Sequence, residues 1–247
     1  MRKTTTGNKK PLNRVKKTVN EKEIDWDGPT QSLLTSINFE FKCKNETQKE
    51  LMKSIKENDV TFCVGPSGTG KTLVSCAQAL KLLKTDKYKR ILITKSITQL
   101  KGEDIGILPG DVNEKLALMM MSYIDAFHLL LGESLTTRFI EEGLIKFESI
   151  GAMRGRSFND VILIADEFQN LTLDNAKTLL TRISENTKYI LLGDKEQIDI
   201  KDKKESALDF LVGKVKENPV DGVGCIQFSE TDIVRHRLIS YFLGLFK

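Results

Sequence analysis

Val60-Thr61-Phe62-Cys63-Val64-Gly65-Pro66-Ser67-Gly68-Thr69-Gly70-Lys71-Thr72 is the stretch that decides the fold. Its first five residues form a short β-rich run with the composition of a strand buried on both faces. The next eight match G-x-x-x-x-G-K-[ST] at every defined position. Glycines let such a loop curl with its backbone N–H groups inward. The helix expected from Lys71 to Lys84, with Leu73, Ala77, Leu80 and Leu83 at helical spacing, adds its positive end. This is a phosphate cradle in which Lys71 reaches the β- and γ-phosphates and the Thr72 hydroxyl joins a Mg²⁺ shell. A glycine-rich turn serving only to join strand to helix would need no Lys-Thr at its close. Gly65, Pro66, Ser67, Gly68, Thr69, Gly70, Lys71 and Thr72 are therefore the candidate nucleotide-binding residues.

Outward from the cradle, β-rich runs alternate with longer amphipathic stretches. A helix opens at Asn45-Glu46-Thr47-Gln48 and ends near Asn58, and a second strand is read at Arg90–Thr94. A loop marked by Gly106, Pro109 and Gly110 leads to a helical region over Val112–Leu131. Strands follow at Ile145–Ile150, Asp160–Ala165, Tyr189–Leu192 and Cys225–Phe228. Helices are expected over Leu173–Ser184, over Glu205–Lys216 and from the last strand to the C-terminus. Short apolar strands separated by helices imply an α/β fold, a mostly parallel sheet with helices on both faces.

A triphosphate site needs a second pole. The strand Asp160–Ala165 runs into Asp166-Glu167, and ligands of open parallel sheets bind at the carboxyl edge of the strands. Asp166 is read as the Mg²⁺ residue, acting through water, and Glu167 as the group that orients and polarises the attacking water. Gly193-Asp194-Lys195-Glu196-Gln197 leaves another apolar strand at the same edge. Gln197 there can bond both the γ-phosphate and the nucleophilic water. Asp-Glu with Gln favours hydrolysis over transfer to a small acceptor, and no N-K-x-D motif marks a guanine site.

The composition, 40% hydrophobic and 29% charged over 247 residues, is that of a globular chain. No apolar run approaches the ~20 residues of a membrane span, and the N-terminus lacks the apolar stretch of a secretory signal. Cys43, Cys63, Cys76 and Cys225 form no C-x-x-C pair, so reduced thiols in a cytoplasmic protein are expected. The net charge of +4 is uneven: the first 20 residues carry +7 and the rest −3. Residues 1–25 read as a basic, disordered arm, either a nucleic-acid contact or a solvated terminus, and 26–247 as one domain. Outside the cradle, Arg154-Gly155-Arg156, Arg182 and Arg235-His236-Arg237 are candidates to stabilise charge on the γ-phosphate, in cis or across a subunit boundary.

The ordered set of Gly65–Thr72, Ile107–Lys115, Met153–Asn159, Asp166–Asn170, Leu180–Ile183, Gly193–Asp199 and Asp232–His236 resembles the PhoH-like family of phosphate-starvation-inducible ATPases. That family is related to the RecA-like core of superfamily-one helicases. The match spans about residues 45–240. It implies a RecA-like P-loop NTPase that binds ATP with Mg²⁺ and hydrolyses it, assembled as a homo-oligomeric, hexameric ring. Single-stranded nucleic acid, RNA favoured over DNA, is the implied substrate. By the resemblance Lys71 and Thr72 are the phosphate-loop pair, Asp166 and Glu167 the carboxylates, and Gln197 the sensor; in a ring, Arg182 or Arg235 is expected to be the arginine given across each interface. Gln48 takes the place of a glutamine that reads the adenine edge, although its spacing from Asn45 also suits a helix cap. The 44 residues before the match are too few for the PIN domain of some relatives, so a stand-alone module of the phage and bacterial type is expected. Three positions depart from the family pattern: Lys95 for an arginine, Phe168 for an alanine and Ala207 for a glycine. The leading expectation is a nucleic-acid remodelling, helicase-like motor. The alternative is a nucleotide-switched interaction module with slow turnover.

Overall fold

Val60–Val64 (β1) is buried along its whole length, and its side chains divide between two cores. Cys63 faces one core; Val60, Phe62 and Val64 face the other. The same split recurs in Val161–Asp166 (β4), where Ile162 and Ile164 join the first core and Val161, Leu163 and Ala165 the second. Strands buried on both faces need helices on both sides. The computed structural model describes residues 31–96, 120–200 and 202–234.

Among the described residues all strand pairs are parallel. With Arg90–Lys95 (β2), Ile145–Phe147 (β3), Lys188–Gly193 (β5) and Val223–Gln227 (β6), the six-stranded sheet runs β3-β2-β4-β5-β1-β6. The first core is closed by Glu46–Glu57 (α2), Lys71–Leu83 (α3), Met121–Leu131 (α4) and Glu133–Glu141 (α5), behind a short Gln31–Thr35 helix (α1). The second is closed by Leu173–Leu180 (α6) and Ala207–Glu217 (α7). This is the α/β architecture expected.

Strand order matters more for function than strand number. β5 lies between β1 and β4, with Val64 opposite Gly193 and Ala165 opposite Leu191. The loop leaving β5 is thereby set between the loop leaving β1 and the carboxylates leaving β4.

Some boundaries differ from the sequence reading. The strand expected over 145–150 stops at Phe147 and gives way to a 3₁₀ turn at Ile150–Met153. The helix expected over 173–184 stops at Leu180. A separate helix, α5, follows Gly132, whose φ of 81° ends α4. Met120 is core, whereas Met121 is exposed. Cys63 and Cys76 are fully buried, and all four cysteines are free. Among the described residues no helix is long and apolar enough to cross a membrane. The helix expected from the last strand to the C-terminus does not form over its described part, where the chain makes a 3₁₀ turn at Glu230–Asp232 closed by its own capping box. The basic arm (1–25), the Ile107–Lys115 motif, Arg235-His236-Arg237 and the rest of that expected helix lie outside the described residues.

Candidate nucleotide-binding site

Gly65 leaves β1 with φ +153°, and its amide donates to the Gly193 carbonyl of β5 at 3.1 Å. A Cβ there would lie 2.5 Å from the Phe228 Cβ and 2.8 Å from its carbonyl oxygen, so the cradle begins in a slot that admits no side chain. It ends at Gly70, in the left-handed region at φ 86°, which starts α3 without any side-chain cap. The first-turn N–H groups of α3 thus meet no side-chain acceptor, which suits an anion.

The Lys71 ammonium is folded onto its own loop, donating to the carbonyls of Gly65 at 2.6 Å and Pro66 at 2.8 Å. Phosphate oxygens are stronger acceptors than either carbonyl, so this cation is stored where a triphosphate can claim it. Ser67, Gly68, Gly70, Lys71 and Thr72 line a cleft of about 540 Å³ together with Asp166, Glu167, Asp194 and Gln197. Five of the eight loop residues, both carboxylates and the glutamine expected from sequence therefore share one cavity, while Gly65, Pro66 and the buried Thr69 do not line it.

Asp166 lies deep in this cleft. Burial raises its pKa and the neighbouring Glu167 charge raises it further; Lys95, the Glu167 amide and the buried Tyr123 hydroxyl pull the other way. The Tyr123 hydroxyl closes no hydrogen bond of normal geometry, and burial followed by the Asp166 charge holds its own pKa well above the usual value. A carboxylate strained in this manner gains from a divalent cation, and the Thr72 hydroxyl lines the same cleft. The residues present fit a magnesium–triphosphate.

Glu167 has φ 52° and ψ 39°, a left-handed conformation uncommon for a side chain of its size and frequent at functional positions. One carboxylate oxygen accepts from the Gln169 amide at 2.6 Å and the other pairs with Lys95 at 3.7 Å. Lys95 stands where the resembling family has arginine; it makes a single ion pair rather than a two-pronged one. Gln197 donates its side-chain amide to Asp194 at 2.6 Å.

The remaining candidates are placed differently. Gln48 is buried, with both ends of its amide engaged: Oε1 accepts from the Lys44 N–H and Nε2 donates to the Thr69 carbonyl, each at 2.8 Å. It braces the phosphate loop, and these two bonds leave its amide one further proton on Nε2 and one further lone pair on Oε1. Asn45 supplies the cap of α2, accepting from the Gln48 backbone at 2.9 Å. Arg182 lies beyond the end of α6, near the amino-terminal edge of the sheet, and bonds the Thr178 carbonyl and the Thr181 hydroxyl. Its charge acts on Tyr189 at the start of β5, and it is not among the residues that line the cleft. Val234 is the last described residue before Arg235; its amide donates to the Gly68 carbonyl at 3.0 Å.

Sequence reasoning missed Lys95, Tyr123, Asp125 and Gln169 as residues at or beside the cleft. Asp125 and Lys95 line it directly. Phe168, one of the departures from the family pattern, packs edge-on against Phe62 with ring centroids 6.0 Å apart. Ala207, another, is fully buried.

Comparison with known proteins finds a family match. The PhoH-like protein family matches residues 40–247. A PhoH-like protein of Bacillus subtilis is 37% identical over 200 residues, 81% of this chain and 62% of that protein. Protein PhoH of Escherichia coli is 34% identical over 197 residues, 79% of this chain and 55% of that one. The chain thus spans little more than half the length of these relatives. Among solved structures, the large terminase of a thermophilic bacteriophage matches with a TM-score of 0.48 at 10% identity, over 80% of this chain and 49% of that one. The Pif1 helicase of Candida albicans matches with a TM-score of 0.38 at 16% identity, over 83% and 45%. With its phosphate loop, its carboxylate pair and a family match across most of its length, this chain belongs to the PhoH-like protein family of P-loop NTPases.

Proposed function

We propose that the chain binds ATP with Mg²⁺ and hydrolyses it, and that hydrolysis drives remodelling of single-stranded nucleic acid, RNA in preference to DNA. The observation that carries the hydrolytic part is the meeting of Lys71 and Thr72 with Asp166 and Glu167 in one cleft, with the β5 loop between them. Lys71 leaves the carbonyls of Gly65 and Pro66 and binds the β- and γ-phosphates. Thr72 and Asp166 hold the cation, which supplies charge neutralisation at the phosphates. Glu167 accepts the proton of the attacking water. Gln197, released from Asp194, bonds the γ-phosphate. The nucleic-acid part is supported by the +7 charge of the first 20 residues. A homo-oligomeric ring, in which Arg182 or Arg235 of one subunit completes the site of the next, would supply the charge that the cleft does not draw from Arg182 of its own chain. A cytoplasmic setting suits four free thiols.

One observation favours the second reading, a nucleotide-switched module with slow turnover. Lys71, Glu167 and Gln197 are each held by internal bonds, which is a resting arrangement. Phosphate release measured with and without single-stranded RNA and DNA, with particle mass recorded alongside, separates the two. Strong stimulation by RNA supports the motor. Unstimulated slow turnover with nucleotide-dependent assembly supports the switch, and no turnover at all overturns the hydrolytic reading.

A further inference from the structure

Gln169 belongs to the carboxylate motif, yet none of the chemistry above uses it. Its side chain is fully buried. Its Nε2 donates to the Glu167 carboxylate at 2.6 Å and to the Gln197 carbonyl at 3.0 Å, while its Oε1 accepts from the Asp194 amide at 3.0 Å. An amide nitrogen carries two protons, and both are committed. The partners also fix which way the amide points, because a carboxylate and a carbonyl must face NH₂ and a backbone N–H must face oxygen. The backbone of Gln169 is anchored in turn, its carbonyl accepting from the Ser206 hydroxyl at 2.8 Å. Asn170 adds a second tie to the same loop, accepting from the Asp199 amide at 2.7 Å.

The bonds close a ring. Gln169 holds Glu167, and it holds Asp194 through the backbone; Asp194 holds the Gln197 side chain, and the Gln197 carbonyl returns to Gln169. Gln197 faces the cleft where a γ-phosphate would lie. A shift of the Gly193–Gln197 backbone toward that phosphate moves the Gln197 carbonyl, one acceptor of the Gln169 nitrogen, and Glu167 is the other.

We propose that Gln169 is a positioning residue that ties the Glu167 carboxylate to the Gly193–Gln197 loop, so that the loop's response to a γ-phosphate aims Glu167 at the attacking water. This rests on the hydrolytic reading above. Gln169 touches neither nucleotide nor water; it acts through Glu167.

The test is single-turnover ATP hydrolysis and equilibrium nucleotide binding for the full chain, as wild type, Gln169→Leu, Gln169→Glu, Glu167→Gln and Glu167→Gln with Gln169→Leu. Gln169→Leu should lower the rate at least about ten-fold while leaving nucleotide affinity within about two-fold. Gln169→Glu should lower it further, because a second carboxylate would face Glu167. In the Glu167→Gln background, Gln169→Leu should change the residual rate less than about two-fold, since the group it positions is already gone. A merely structural role would cost the same factor in both backgrounds, and that result overturns the proposal. So does an unchanged rate in Gln169→Leu, or a loss of affinity equal to the loss of rate. If Gln169→Leu fails to fold, Gln169→Asn, an amide one methylene short of its partners, must give the same pattern or the proposal falls. A wild-type chain that hydrolyses nothing overturns the hydrolytic reading itself, whereas an active wild type with an equally active Gln169→Leu overturns only the link.

Discussion

Replacing Glu167 by glutamine separates chemistry from binding more cleanly than any other single change. The substitution keeps side-chain length and asks nothing new of the backbone, which already holds φ 52° with a residue of the same shape. Two contacts weaken, while the repulsion that the Glu167 charge exerts on Asp166 is relieved. The ion pair with Lys95 spans 3.7 Å between side chains 27% and 30% exposed, a pair worth about 0–1 kcal/mol. The bond from Gln169 survives with the new amide oxygen as acceptor, weakened by about 1 kcal/mol through loss of charge. The fold should therefore lose no more than about 2 kcal/mol. Loss of a general base costs about 10²–10⁴ in rate, or about 2.7–5.4 kcal/mol of barrier at 1.36 kcal/mol per decade. The assay is single-turnover phosphate release with Mg²⁺, beside a nucleotide titration and a thermal midpoint. Turnover within about five-fold of wild type would refute the assignment of Glu167 as base. A loss of turnover matched by an equal loss of affinity would refute it too, since that is the signature of lost binding.

The other predictions follow from the same cleft. Lys71→Ala should weaken ATP binding by about ten-fold or more in an equilibrium titration, with a thermal midpoint close to wild type, because the carbonyls it leaves at Gly65 and Pro66 can turn to water. Asp166→Asn should abolish Mg²⁺-dependent turnover and stabilise the nucleotide-free protein at neutral pH. Burial and the Glu167 charge raise the folded pKa of Asp166 above its unfolded value, so its contribution to stability is present at low pH and lost as pH rises through the folded pKa. The advantage of the asparagine variant in thermal midpoint should accordingly grow with pH and vanish in acid; an advantage independent of pH would contradict this. Gly65→Ala should destabilise the fold by about 2–4 kcal/mol in chemical denaturation, since the new methyl group meets Phe228 and the backbone is at positive φ. A loss below about 0.5 kcal/mol would show that the slot can open.

The parts of the site legible in the sequence are those built from one strand and the loop that leaves it. Gly65–Thr72, Asp166-Glu167 and Gln197 each follow an apolar strand directly, and a parallel sheet brings such exits to one edge whatever the strand order. Parallel pairing and two-sided burial were equally legible, because Val60–Val64, Asp160–Ala165 and Tyr189–Leu192 read as short continuous runs. Contacts set by strand order were not. Lys95 reaches Glu167 because β2 pairs with β4, in register Lys95 to Asp166, and no spacing in the chain encodes that neighbour. Tyr123 and Asp125 come to the cleft on a helix whose own pattern reads simply as amphipathic. Gln48 illustrates the boundary between the two: its spacing from Asn45 predicted the backbone bond, while its side chain serves a loop 21 residues away. Arg182 shows the cost of reading an edge from one dimension, since an eight-residue helix carries the chain back to the opposite end of the sheet before that arginine appears.

A crystal structure of the full chain with Mg²⁺ and a non-hydrolysable ATP analogue tests the central claim most directly. It should show the Lys71 ammonium moved from the Gly65 and Pro66 carbonyls to the β- and γ-phosphate oxygens, with one cation between the Thr72 hydroxyl and the Asp166 carboxylate. A triphosphate bound elsewhere, or one bound in the cleft with Lys71 still on its own loop and no cation near Asp166, would contradict the account.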